Sequence, residues 1–184
     1  MVDNSKSLGI ILWFTGLSGA GKTTVAEAVL TYLQKKHICT HIIDGDMVRA
    51  TYHRNLGFSE TDIKFNNAFI VDLCVEERKN YDVVMVPIIS PYQQSRNEAR
   101  KKLSPKFYEI YFSASLDCVR QRDVKGLYSK SKKGLIKNMI GISPANPYQP
   151  PKSPDFVINT EMETFHQSVE NFLRFIVMHH SKLS

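Results

Sequence analysis

A chain of 184 residues, 42% hydrophobic and 23% charged, is long enough for one domain with a real core and too short for two comfortable ones. Its net charge of +6 favours anionic partners, but the lysines gathered at Lys130, Lys132, Lys133 and Lys137 lack the interleaved aromatics of a stacking surface, so small phosphorylated ligands are expected rather than nucleic acid. No apolar run approaches the ~18 residues of a membrane span and no leader pattern opens the chain, so a cytoplasmic protein with no membrane partner is expected. Cys39, Cys74 and Cys118 are odd in number and widely spaced, which reads as buried thiols rather than a zinc site or disulfide framework.

The first predicted strand, Ile10-Ile11-Leu12-Trp13, runs into Phe14-Thr15-Gly16-Leu17-Ser18-Gly19-Ala20-Gly21-Lys22-Thr23-Thr24. Gly16, Gly21, Lys22 and Thr23 fit the phosphate-binding loop G-x-x-x-x-G-K-[ST]. Its backbone N–H groups wrap phosphates, its lysine reaches the β/γ oxygens, and its hydroxyl joins Mg²⁺. Glycines let the backbone turn through positive φ and approach the anion, and the following helix points its positive end at it. Candidate nucleotide-binding residues are therefore Gly16, Ser18, Gly19, Ala20, Gly21, Lys22, Thr23 and Thr24, with Thr23 as the metal-side hydroxyl. Val25, Ala26, Val29, Leu30 and Leu33 recur at helical spacing, predicting a helix from about Lys22 to Lys36.

A second strand is predicted at Ile38–Ile43, ending in Asp44-Gly45-Asp46. In a parallel sheet the carboxyl ends of strands line the ligand crevice, so both acids arrive beside the phosphate loop. One carboxylate can take a proton from an attacking hydroxyl while the other serves Mg²⁺ through water, with Arg49 close behind; the spacing does not say which does which. Leu56-Gly57-Phe58-Ser59 offers an aromatic that can stack on a nucleobase. Ser59-Glu60-Thr61-Asp62 is a capping-box pattern that starts a helix near Glu60.

The phosphate loop together with Ile43-Asp44-Gly45-Asp46-Met47-Val48-Arg49 resembles adenylyl-sulfate (APS) kinase, a family that phosphorylates the 3′-hydroxyl of adenosine 5′-phosphosulfate with ATP to give PAPS. The resemblance implies Asp46 as the base for the acceptor hydroxyl, Arg49 on the acceptor's anionic tail and Phe58 against its base. It departs in the next helix, where the family carries arginines and this chain reads Asp62-Ile63-Lys64-Phe65-Asn66-Asn67-Ala68-Phe69. Asn66 is kept, but Ile63 on the same helical face replaces a guanidinium.

Tyr81–Ile89 is a near-continuous apolar strand of the kind buried on both faces. Ser90 before Pro91 reads as a helix N-cap with a first-turn proline. The family's Ile-Ser-Pro-Tyr motif, here Ile89-Ser90-Pro91-Tyr92, implies that Ile89 and Ser90 line the acceptor site. Arg96 and Arg100, four apart on one helical face, are candidates for phosphate or sulfate groups. A fourth strand is predicted at Phe107–Phe112. Arg122-Asp123-Val124-Lys125-Gly126-Leu127-Tyr128 then matches the opening of the family's mobile lid, placed at about 120–150, and makes Arg122 and Lys125 candidates for the reacting phosphates. The segment around Met139 corresponds to one where the family offers a second aromatic for the acceptor's base. A proline-rich loop, a fifth strand at Phe156–Thr160 and a helix with Met162, Phe165, Val169, Phe172, Leu173 and Ile176 as its core stripe complete the chain.

These patterns predict an α/β three-layer fold with a parallel five-stranded sheet, one domain over 1–184. The resemblance places it in the nucleotide-kinase branch of P-loop folds and implies Mg-ATP, a small nucleotide acceptor and a homodimer. Two other readings stand beside APS kinase: a kinase for another nucleotide anhydride such as cytidine diphosphoramidate, and a non-catalytic nucleotide-binding switch, against which the intact Lys22, Asp46 and lid motif argue.

Overall fold

The computed structural model describes residues 8–180. Five parallel strands, β1 (Ile10–Thr15), β2 (Thr40–Ile42), β3 (Val83–Val86), β4 (Phe107–Ser113) and β5 (Phe156–Asn159), form one sheet in the order β2-β3-β1-β4-β5. All six residues of β1 are buried because the strand is covered on both faces. Successive side chains of a strand point to opposite faces, so Ile10, Leu12 and Phe14 join one core and Ile11 and Trp13 the other. The first core is closed by α1 (Lys22–Lys35) and α7 (Phe165–His179), the second by α2 (Gly45–Tyr52), α3 (Glu60–Glu77) and α4 (Gln93–Leu103). With α5 (Leu116–Arg122) and α6 (Leu127–Lys132) near the phosphate loop, this is the expected three-layer architecture.

The capping box starts α3 as expected: Ser59 Oγ accepts from Asp62 N at 3.2 Å, and Asp62 Oδ2 accepts from Ser59 N at 3.1 Å. Strand β3 is shorter than the apolar run because Pro87 has no N–H to continue the ladder. The expected Ser90 cap is not made. Helix α4 begins at Gln93, while Ser90 sits at φ 42° with its Oγ accepting from Trp13 Nε1 at 3.1 Å and Asn67 Nδ2 at 3.4 Å. In the last helix, Met162 precedes the first turn and is exposed together with Phe165; the buried stripe is Phe172, Phe175 and Ile176. Of the thiols only Cys74 is buried, and Cys39 is exposed at the rim of the sheet.

Arg96 and Arg100 do not face a ligand cavity. Arg96 is fully buried, paired with Glu109 at 2.6 Å and donating to Ser90 O at 2.7 Å and Gln149 O at 2.7 Å. Arg100 is held by Asp155 at 2.5 Å and Glu109 at 3.5 Å. The guanidiniums brace the loop after β3 against β4, and so support the floor of the site rather than its ligand.

Candidate active site

A cavity of about 400 Å³ opens at the carboxyl ends of β1 and β3, lined at one end by Ser18, Gly19, Gly21, Lys22, Thr23 and Thr24. Gly19 and Gly21 lie at φ 79° and 86°, left-handed values through which the loop turns. Gly16 and Ala20 stand behind this lining. A Cβ on Gly16 would meet Phe112 O at 2.6 Å, and the Ala20 methyl is in the core while its N–H donates to Leu17 O at 3.2 Å. Gly21 caps α1 without a side-chain acceptor, leaving the first amides of the helix facing the cavity, the arrangement an anion completes.

Lys22 Nζ bends back onto Gly16 O at 2.8 Å and Leu17 O at 2.7 Å. Burial, and next the Lys125 charge, push its pKa down to about 7, against the opposing pull of Asp46 and Asp44. The sign follows directly. In the free protein this group's contribution to stability is present above its ordinary 10.5 and is lost as pH falls towards 7. Phosphates placed beside the amine favour its charged form, so ATP binding near pH 8 should take up protons, with the uptake vanishing below about pH 6 and in Lys22→Met. Titration calorimetry in buffers of different ionisation enthalpy measures this, and uptake independent of Lys22 would refute it.

Asp44 and Asp46 divide their tasks. Asp44 Oδ1 caps α2, accepting from Asp46 N at 2.9 Å and Met47 N at 3.0 Å, whereas the Asp46 carboxylate projects to the cavity mouth and pairs with Lys125 at 2.5 Å. Lys125 is carried by the turn between α5 and α6, fixed by Asp123, whose carboxylate accepts from Tyr128 N and Ser129 N, each at 2.9 Å. Tyr128 donates its hydroxyl to Ser18 O at 2.9 Å, with burial pushing its pKa up to about 12, and ties α6 to the phosphate loop. Arg122, expected over the phosphates, is not in the lining. The last turn of α5 directs it to Thr160, whose hydroxyl it meets at 3.1 Å and whose carbonyl oxygen also accepts from it.

The far end of the cavity is lined by Arg49, Phe58, Ile63, Asn66, Asn67 and Ser90, with Ile88 and Ile89 below. The Arg49 guanidinium lies 4.4 Å from the Phe58 ring centroid and donates to Gly57 O at 2.9 Å, which leaves Phe58 half exposed and aimed at the opening. Asn146, 1% exposed, donates to Phe58 O at 2.7 Å and Asn138 O at 2.9 Å and accepts from Tyr92 OH at 2.9 Å. Met139 does not reach this end. It is buried in the first core, and its neighbour Ile140 lines the cavity instead; Gly141 follows at φ 81°. Asn67 and Ile140 are among the lining residues that sequence reasoning did not nominate, as are Ile88, Val124 and Leu127; the doubled asparagine was the available signal for the first.

Among the described residues no group of three or more His, Cys, Asp or Glu could hold a metal ion alone. The oxygens of Thr23, Asp44 and Asp46 share the cavity, a hard donor set that suits Mg²⁺ arriving with phosphate oxygens rather than in a resident cage. No helix among them is long and apolar enough to cross a membrane.

A phosphate loop, a lysine from the α5–α6 turn and the carboxylate it pairs with around one cavity define a P-loop kinase of small molecules, and a gluconokinase from Sinorhizobium meliloti shares the fold with TM-score 0.62 over 95% of each chain at 14% identity. The chain belongs to the adenylylsulphate kinase family, whose sequence profile matches residues 8–159. It is 40% identical to the adenylyl-sulfate kinase of Halothermothrix orenii, across 91% of this chain and 89% of that one. It is similar to the Mycobacterium tuberculosis APS kinase in complex with AMPPNP and APS, with TM-score 0.86 and 33% identity over 92% of this chain and 98% of the other.

Proposed function

We propose that the chain transfers the γ-phosphoryl group of ATP to the 3′-hydroxyl of adenosine 5′-phosphosulfate, giving PAPS, as a cytoplasmic homodimeric enzyme. The observation that carries this reading is the Asp46–Lys125 pair across the mouth of a cavity that joins Lys22 to Phe58 and Asn66. Amides of the phosphate loop and Lys22 hold the β- and γ-phosphates. Lys125 leaves Asp46 for the phosphates as they arrive, which frees the carboxylate to accept the proton of the attacking hydroxyl. Phe58 receives the acceptor's base on its open face, with Asn66 and Arg49 beside the ribose and tail. Thr23 would hold Mg²⁺ arriving with the nucleotide, and the ion would supply charge neutralisation on the transferred group.

One observation favours a second reading. Ile63 lies in the acceptor end of the cavity and is 4% exposed, so that surface offers a hydrocarbon contact and no guanidinium for a sulfate. Losing a charge-assisted hydrogen bond costs about 1.5–3 kcal/mol, roughly 10- to 150-fold in KM. A smaller base resting between Phe58 and Ile140, as in cytidine diphosphoramidate, is the alternative. The deciding experiment is kcat/KM for both acceptors in the wild type and in Ile63→Arg. The APS reading expects the wild type to prefer APS and the variant to gain with it; preference for the cytidine nucleotide overturns the acceptor, and turnover of neither overturns the kinase assignment. Sedimentation of the free protein tests the dimer.

A further inference from the structure

His53 belongs to none of the groups that line the cavity, yet it touches one of them directly. It is the C-terminal cap of α2, with its backbone N–H donating to Arg49 O at 3.1 Å. Its ring lies between Phe65, centroids 5.3 Å apart, and Phe69 at 4.6 Å in an edge-on arrangement. From this slot Nδ1 stands 3.0 Å from Asn66 Oδ1.

A carboxamide has a donor end and an acceptor end, and a buried one satisfies both. Asn66 is 5% exposed, so the end not used by His53 is the one it presents to the cavity. If Nδ1 carries the proton it donates to Oδ1, and the Asn66 N–H groups face the ligand. If Nδ1 is bare, the amide turns over and offers a carbonyl oxygen instead. The cations Lys22 and Lys125 lie at the phosphate-loop end and Ile63 is apolar, so at the Phe58 end the donors are Arg49, whose Nη1 also serves Gly57 O, and the Asn66 amide when its N–H groups face the cavity. An anionic ligand tail there is held best when Asn66 adds its N–H groups to the Arg49 guanidinium.

We propose that His53 is a positioning residue that holds the Asn66 carboxamide with its N–H groups turned into the acceptor end of the cavity, and so sets acceptor affinity without touching the acceptor. The proposal rests on reading the Phe58 end as the acceptor site.

Two measurements on the full chain test it. Proton–nitrogen correlation spectra of the imidazole rings near pH 8, with the His53 signals identified by their loss in His53→Asn, should find the proton on Nδ1; a bare Nδ1 with the proton on Nε2 overturns the proposal. In kinetics, His53→Phe should raise KM for APS about five- to tenfold, the loss of one neutral hydrogen bond, while KM for ATP and kcat stay within about twofold. His53→Asn, whose amide nitrogen occupies the place of Nδ1, should restore the acceptor KM. An unchanged acceptor KM in His53→Phe, or equal rises for ATP and acceptor, overturns it. Should the wild type turn over neither acceptor, the functional reading fails, and the ring spectrum still decides what His53 does to Asn66.

Discussion

Lys22→Ala is expected to lower phosphoryl transfer by about a thousandfold or more while the protein stays folded. The loss is large because Lys22 is the cation set within the phosphate loop, where low dielectric strengthens its hold on a phosphoryl group gaining charge. Stability should be unchanged or slightly raised. Burial already disfavours the ammonium form of this side chain, so its removal relieves a penalty. A thermal melt and single-turnover kinetics check both halves, and a folded variant with near-normal turnover would sink the phosphate-loop assignment.

Asp46→Asn is expected to reduce kcat about 100-fold or more with ATP binding intact, because it removes the proton acceptor while releasing Lys125 for phosphates. Asp44→Asn should be mild, since an asparagine oxygen still accepts from Asp46 N and Met47 N and preserves the start of α2. The reverse pattern would exchange the two roles, and loss of ATP affinity alone in Asp46→Asn would point to the metal. Isothermal titration with a non-hydrolysable nucleotide, run beside steady-state assays, separates these outcomes.

The phosphate loop, the capping box at Ser59 and the strand order of events along the chain were legible because each is written in consecutive residues. What was misread depended on partners far away in sequence. Ser90 looked like a cap because its neighbours are local, but Trp13 and Asn67 arrive from β1 and α3 to claim its hydroxyl. Arg96 looked free until Glu109 came to face it from β4. Met139 and Ile140 lie in a segment with neither helical nor strand period, so nothing in the residues says which of two adjacent apolar side chains turns inward. The division between Asp44 and Asp46 was likewise open in the sequence; in the fold the α2 amides take the Asp44 carboxylate and leave that of Asp46 to Lys125.

Asn146 ties Phe58, Asn138 and Tyr92 into one knot, whereas Tyr128 fastens α6 to Ser18. The stretch from α6 to Asn146 is therefore anchored twice, once to the phosphate loop and once to the loop that holds Phe58, with Gly134 at φ 74° and open space around it between the two. A disturbance at one anchor is expected to be absorbed at this glycine before it reaches the other.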